Sequence, residues 1–334
     1  MLHRTTYKSL ILSGLLGIVL GGCGAGSQDN VPTDKYTGLT TPAVINQENG
    51  KQIATGAMDT SSTNQVGTLA GVTVETNKGS SARASAKRAA SLGLKVQQQY
   101  SEQQALFSGV VQTYDGSCGG SVTFSGDETS FSISYSNFCD QGDLDTDTLT
   151  INGKMTISSS QPANGSTTRS ASIKLENFTM KGTVGTEAID IELSGNMQVE
   201  NNLADNSLEM TINFVAIDHI TNEQVKLENY KYGFNFVLDP VTSAPASMEL
   251  TISGRVYLSS TGYVDITTNT PVNINQNGQL TAGSITFSGA NGSKVVLTFS
   301  GNDNYSLLIN DGTTETTETG SLSELNIDFA SLAA

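Results

Sequence analysis

The sequence predicts a mainly β protein: a long antiparallel meander, strongly bent or half-barrel-like, with one or two N-terminal helices packed on its apolar face. Three observations carry that expectation. From about Leu106 to Phe329, apolar side chains recur at every second position, in runs rich in Thr, Ser, Ile, Val and Phe. Ser-Gly, Asn-Gly and Asp-Asn steps break these runs into about twelve to fourteen strands. Within this region three segments repeat one pattern, TLTINGKMTI (148–157), IDIELSGNMQV (189–199) and MELTISGRVYL (248–258). Helical spacing is strong in a single stretch, Ser81 to Phe107, where Ala82, Ala86, Ala89, Val96, Tyr100 and Phe107 recur at steps of three, four or seven.

Taken in chain order, the first element is MLHRTTYKSLILSGLLGIVLGGC. His3, Arg4 and Lys8 precede an apolar run from Leu10 to Leu20 that is too short to span a bilayer as a helix. Leu20-Gly21-Gly22-Cys23 closes it, and these four residues resemble the lipobox of bacterial lipoprotein precursors. The resemblance implies that residues 1–22 are a signal peptide and that Cys23 carries a diacylglycerol as the first mature residue. At about 0.8 kcal/mol per buried CH₂, such an anchor is effectively permanent. Gly24 stands where an Asp would signal inner-membrane retention, so in a Gram-negative cell the resemblance implies the outer membrane.

Residues 23–40 read as a lipidated tether of small, polar, turn-forming residues. Residues 41–107 form a helical and irregular N-terminal segment. Within it a short helix is expected over Thr41–Met58, a strand at Val72–Thr76, and the main helix at 81–107. The last is expected to pack on the sheet, because a wide aliphatic face has to be covered. The acid-free stretch from Lys78 to Lys95 holds Lys78, Arg83, Lys87, Arg88 and Lys95, whose scatter around the helix reads as a solvated face, with a headgroup or partner contact as the alternative.

The antiparallel β domain spans 108–334. A hairpin about Asp127–Ser130 pairs Phe124 with Ile133 and Val122 with Tyr135, and the same register brings Cys118 opposite Cys139. In an oxidising compartment these two read as a disulfide, worth about 3 kcal/mol for a loop of this size.

Parity decides how the repeats are read. A hairpin at Asn152-Gly153 would split Leu149 and Ile151 from Met155 and Ile157, whereas a straight strand keeps all four on one face. Gly153, Gly195 and Gly254 therefore belong inside strands, at bends or close approaches. Upstream of each lies an Asn-aromatic step, Asn137-Phe138, Asn177-Phe178 and Asn229-Tyr230, where the apolar parity flips around the last two. One extra residue does that, so β-bulges are expected there. Four-residue turns near 185–188 would set Phe178 against Gly195, with Phe138 against Gly153 and Tyr230 against Gly254. A bulge at Asn137 displaces Cys139 by one residue, a slip for Gly119 and Gly120 to absorb. The polar run 311–320 reads as a mobile loop, with a last strand over Gly320–Phe329.

Function is bounded more by exclusion. The net charge is −15, from 32 acids against 17 bases, and losing Arg4 and Lys8 makes the mature chain more acidic still. Nucleic acid is not an expected partner, since phosphate contacts need Lys and Arg. His219 is the one mature histidine, and His/Cys zinc sites are excluded by count. Asp140, Asp143, Asp145 and Asp147 suggest oxygen ligands for Ca²⁺, but Thr148 and Lys154 stand where an EF-hand loop needs Gly and Glu. No nucleophile elbow or phosphate loop occurs, and no cofactor or enzymatic activity is expected. A membrane barrel is disfavoured by the absence of Trp. What remains is an envelope lipoprotein held by its lipid, of structural or surface-interaction type, meeting an envelope protein. The alternative is a carrier for a hydrophobic ligand such as an acyl chain.

Overall fold

The computed structural model describes residues 35–59, 111–126, 130–141, 148–160, 167–184, 187–238, 245–276, 279–302 and 304–325. The expected signal peptide (residues 1–22), Cys23, the strand expected at 72–76 and the helix expected at 81–107 lie outside them, as does most of the expected tether.

Fourteen strands form one antiparallel sheet in simple sequence order. It opens with two short strands, β1 (Gln112–Asp115) and β2 (Gly119–Gly126). Long strands follow: β3 (Ser130–Gln141), β4 (Thr148–Ser160), β5 (Thr168–Val184) and β6 (Glu187–Asn202). They continue through β7 (Ser207–Asp218), β8 (Gln224–Leu238), β9 (Pro245–Leu258) and β10 (Gly262–Asn275). Four short ones close it: β11 (Leu280–Ser288), β12 (Lys294–Phe299), β13 (Asn304–Asn310) and β14 (Glu315–Ser321). First and last strands do not pair, so the sheet is open. Alternation places Val295, Leu297 and Phe299 on the buried face and leaves Lys294, Val296 and Thr298 opposite. One continuous apolar cluster runs along that face from Val122 to Leu325.

The run 311–320 is a strand over most of its length and not a loop. Thr and Glu alternate with no apolar period, so the sequence shows no strand signal. The fully apolar side of β13 supplies the template, pairing Ile309 with Thr316 and Leu307 with Glu318. A charged, exposed outermost strand also discourages further pairing. Beyond it, Leu322–Leu325 is a 3₁₀ turn rather than an extension of the sheet.

The short N-terminal helix is α1 (Gly50–Asp59), which starts later than Thr41. Asn46 and Asn49 explain where it begins. The Asn46 N–H donates to Asn49 Oδ1 (2.8 Å), while Asn49 and Glu48 N–H groups donate to Asn46 Oδ1 (3.0 and 2.9 Å). This reciprocal arrangement satisfies donors that a helix start leaves free. Ile53 and Ala54 are buried, and a side chain at Gly50 would press on Ile309 at 2.9 Å.

A line of irregularities crosses the long strands. Ladder registers slip between Tyr135 and Phe138, between Leu175 and Phe178, and between Glu228 and Lys231. Asn137, Asn177 and Asn229 there have φ of 46°, 48° and 48°. These are the expected bulges, at residues whose type tolerates the left-handed region. Each strand from β3 to β8 contributes one asparagine to the line: Asn137, Asn152, Asn177, Asn196, Asn213 and Asn229. Their amides serve the bulges. Asn137 N–H donates to Asn152 Oδ1 (2.7 Å), and Asn229 N–H to Asn213 Oδ1 (2.8 Å).

Candidate functional site

Cys118 and Cys139 form a disulfide, with Cα atoms 5.1 Å apart. Val122 still pairs with Tyr135, but Cys139 pairs with Gly119, and the slip falls between Gly119 and Ser121. Gly120, at φ 67°, takes up the residue that the Asn137 bulge inserts.

Gly153, Gly195 and Gly254 lie inside β4, β6 and β9, each against an Asn-aromatic step of a neighbouring strand. A Cβ on Gly254 would fall 2.4 Å from the Asn229 carbonyl oxygen and 2.6 Å from Tyr230 Cα. At Gly153 the neighbour is Asn177-Phe178 rather than Phe138, and at Gly195 it is Asn213-Phe214 rather than Phe178. The Gly195 difference follows from the turn: Val184 pairs with Glu187, so two residues connect β5 and β6, not four. Phe178 then pairs with Leu193, and Leu175 with Gly195. Asn213-Phe214 is the same dipeptide type, but no parity flip marked it in the sequence.

Asp140 sits near the end of β3, while Asp143, Asp145 and Asp147 lie outside the described residues. Among the described residues, no group of three or more His, Cys, Asp or Glu side chains converges as a metal site. His219 does not meet Asp218 catalytically. The Asp218 carboxylate accepts the N–H groups of Ile220 and Thr221 (2.8 and 3.3 Å), closing its own turn. His219 Nε2 lies instead 3.3 Å from Glu192 Oε2.

Glu192 belongs to a strap that the sequence did not reveal. Residues 35–47 run along one end of the sheet and touch strand after strand. Lys35 donates to Asn177 Oδ1 (2.9 Å) and pairs with Glu192; Thr37 N–H donates to Gln224 Oε1 (2.8 Å). Leu39 N–H donates to the Ser259 carbonyl, and Pro42 and Ala43 bridge to Tyr263. Ala290 N–H donates to the Ala43 carbonyl, Ile45 N–H to Ser293 Oγ, and Gln47 reaches Ile309 and Thr316. The Lys35 hydrogen bond outweighs partial burial and holds the Glu192 carboxyl below its ordinary value.

Under the strap, the outer face of β8–β10 carries an aromatic and charged cluster. Arg255 forks onto Asp265 (2.7 and 3.1 Å) and stacks 3.9 Å above the Tyr263 ring. Glu228 accepts from Lys226 (2.8 Å) and from Tyr257 Oη (2.9 Å). Burial pushes the Glu228 carboxyl up, but those hydrogen bonds and the nearby cations win, leaving it lowered. Tyr36 lies edge-on to Tyr257 (5.6 Å), and burial raises its phenol to about 12. Every group here has a partner, so the cluster reads as the seat of the strap.

The opposite end of the sheet differs. Phe131, Met155, Ile173, Leu208, Met210 and Phe236 are only partly covered and lie on the apolar face of β3–β8, beyond the bulge line. Leu203, Val237 and Leu238 are exposed beside them. An open meander with one strapped, polar end and one apolar end is the class these features define. No family model matches the chain, and neither a curated protein nor a solved structure matches it significantly.

Proposed function

We propose that the chain is a lipid-anchored envelope lipoprotein, held outside the cytoplasmic membrane by Cys23 and, in a Gram-negative cell, at the outer membrane. It serves as a structural or surface-interaction body rather than as an enzyme. The strap is the observation that carries this reading. The chain leaving the anchor is stitched to strands from β5 to β14 before it enters the fold, so the tethered end of the sheet is fixed. Between Cys23 and Lys35 the chain reaches at most about 40 Å, which keeps the strapped end near the membrane. Labelled palmitate is expected in the wild-type protein and absent from Cys23→Ser. Label that persists in that variant, or an intact Met1 on the mature protein, would overturn the reading.

The finer architecture follows from the bulges, which increase twist and bend the long strands into a half-barrel. The helix at 81–107 packs on the apolar face of that trough. Engineered cysteine pairs between residues 89 or 96 and Met155 or Ile173 test it; failure to cross-link under mild oxidation argues against the packing.

A second reading, a carrier for a hydrophobic ligand, is favoured by the half-covered band at the far end. Extraction of the purified protein and mass spectrometry of the extract would find a stoichiometric acyl lipid beyond the Cys23 anchor. A lipid-free extract counts against it.

A further inference from the structure

We infer that Arg169, on the inner face of β5 at the open end, is the headgroup site for an acyl chain ending in a carboxylate; this rests on the carrier reading. Arg169 shares its parity with Ala171, Ile173 and Leu175, the apolar set of its strand. One of its guanidinium nitrogens is shut off from solvent and has no hydrogen-bond partner. None of the ion pairs among the described residues includes it. The contrast with Arg255, which is forked onto one carboxylate and stacked on a ring, is complete.

A guanidinium nitrogen buried without a partner is unfavourable, because that donor leaves water and gains nothing in return. Such a group calls for an explanation in a native fold. Its surroundings supply one. In the ladder, Arg169 pairs with Asn201, Asn201 with Leu208, and Leu208 with Phe234. The next row inward holds Ala171, Val199, Met210 and Tyr232 in consecutive register. A cation and an amide thus stand at the rim of an apolar wall, the arrangement that fixes the polar end of an amphiphile. Charge decides the headgroup. In a chain with 32 acids and 17 bases, an inward cation without a counter-ion fits an anion. The planar fork matches a carboxylate through two parallel hydrogen bonds.

The test uses the mature, full-length lipoprotein in phosphatidylcholine nanodiscs, with three photoactivatable probes that share one sixteen-carbon chain: the carboxylate, the alcohol and a phosphatidylglycerol. The carboxylate is expected to label peptides of β4–β8 at least tenfold more than the alcohol. Arg169→Gln should cut that labelling tenfold or more, and Arg169→Lys should retain part of it. Arg169→Gln should melt at the same or a higher temperature, which separates lost binding from lost folding. Equal labelling by the alcohol, or carboxylate labelling unchanged in Arg169→Gln, overturns the assignment while leaving a carrier in place. Preference for phosphatidylglycerol overturns the carboxylate. No labelling by any probe sinks both this site and the carrier reading.

Discussion

The long strands β3–β10 and the short strands β11–β14 share one alternating pattern, yet they are built differently. Between β2 and β11 the ladders slip in register at every pairing except β6 with β7. From β11 to β14 the ladders run without interruption. Every interrupted ladder includes a strand of at least 12 residues, although β6 and β7 pair through 12 positions without a slip. A strand of 17 residues, as in β5, extends about 55 Å. Right-handed twist accumulates along it until straight pairing with both neighbours strains, and an extra residue relieves that strain. Strands of six to nine residues, as in β11–β13, end before the twist builds up.

Coverage divides at a different place: Leu250, Val256, Val264 and Val272 of the interrupted strands β9 and β10 are 0% exposed, and the partly buried apolar residues lie on β3–β8. Ile285, Phe287, Val295, Leu297, Leu307 and Ile309 are 0% exposed, beneath a segment that includes Ala43, Ile45 and α1. In the long-stranded half Ile133, Tyr135 and Phe138 remain 7–8% exposed, and six further apolar residues are only partly buried. Ala43, Ile45, Ile53 and Ala54 belong to the same buried cluster. Incomplete cover is confined to the β3–β8 part of the sheet, where Arg169 also lies.

Mutations should separate the two halves in order of effect. Gly195→Val adds a side chain where Asn213 O would lie 2.2 Å away, at φ 148°. Strain and overlap together should cost about 3–5 kcal/mol, measured by denaturant unfolding; a loss under about 1 kcal/mol would mean that the bulge line yields freely. Leu297→Ala, in the closed half, should cost about 3–4 kcal/mol, against about 1 kcal/mol for Met155→Ala in the open half. Equal losses would erase the difference in cover. Cys118→Ser should remove about 3 kcal/mol in oxidised protein only, and an equal loss in reductant would show that the bridge adds nothing.

The smallest effect concerns the strap. Glu192 and Glu228 both titrate below their ordinary value of 4.5, so their stabilisation is present above that value. It is lost as the pH falls from about 4.5 downward through the lowered values. Glu192→Gln should reduce stability at neutral pH by under about 1 kcal/mol, since the Lys35 pair is part-exposed. The same substitution should flatten the acid limb of the melting profile. An unchanged acid limb would show that Glu192 does not hold the strap.

Period-two alternation, the internal repeat and the pairing of Cys118 with Cys139 were legible because side-chain order and local register are one-dimensional properties. Alternation fixes which face each residue takes, and a parity flip exposes an inserted residue at Asn177 or Asn229 without coordinates. The pairing of Gly195 was not legible, because a two-residue turn and a four-residue turn differ by a register shift that both keep Leu193 or Gly195 in phase. Strand β14 was hidden as well, since its order comes from β13 and not from its own apolar content. The strap, the reach of Lys35 to Glu192 across 157 positions, and the unpaired Arg169 are decided only in three dimensions. A long-range partner depends on how neighbouring strands stack and bend, and no local spacing records where that brings two distant side chains together.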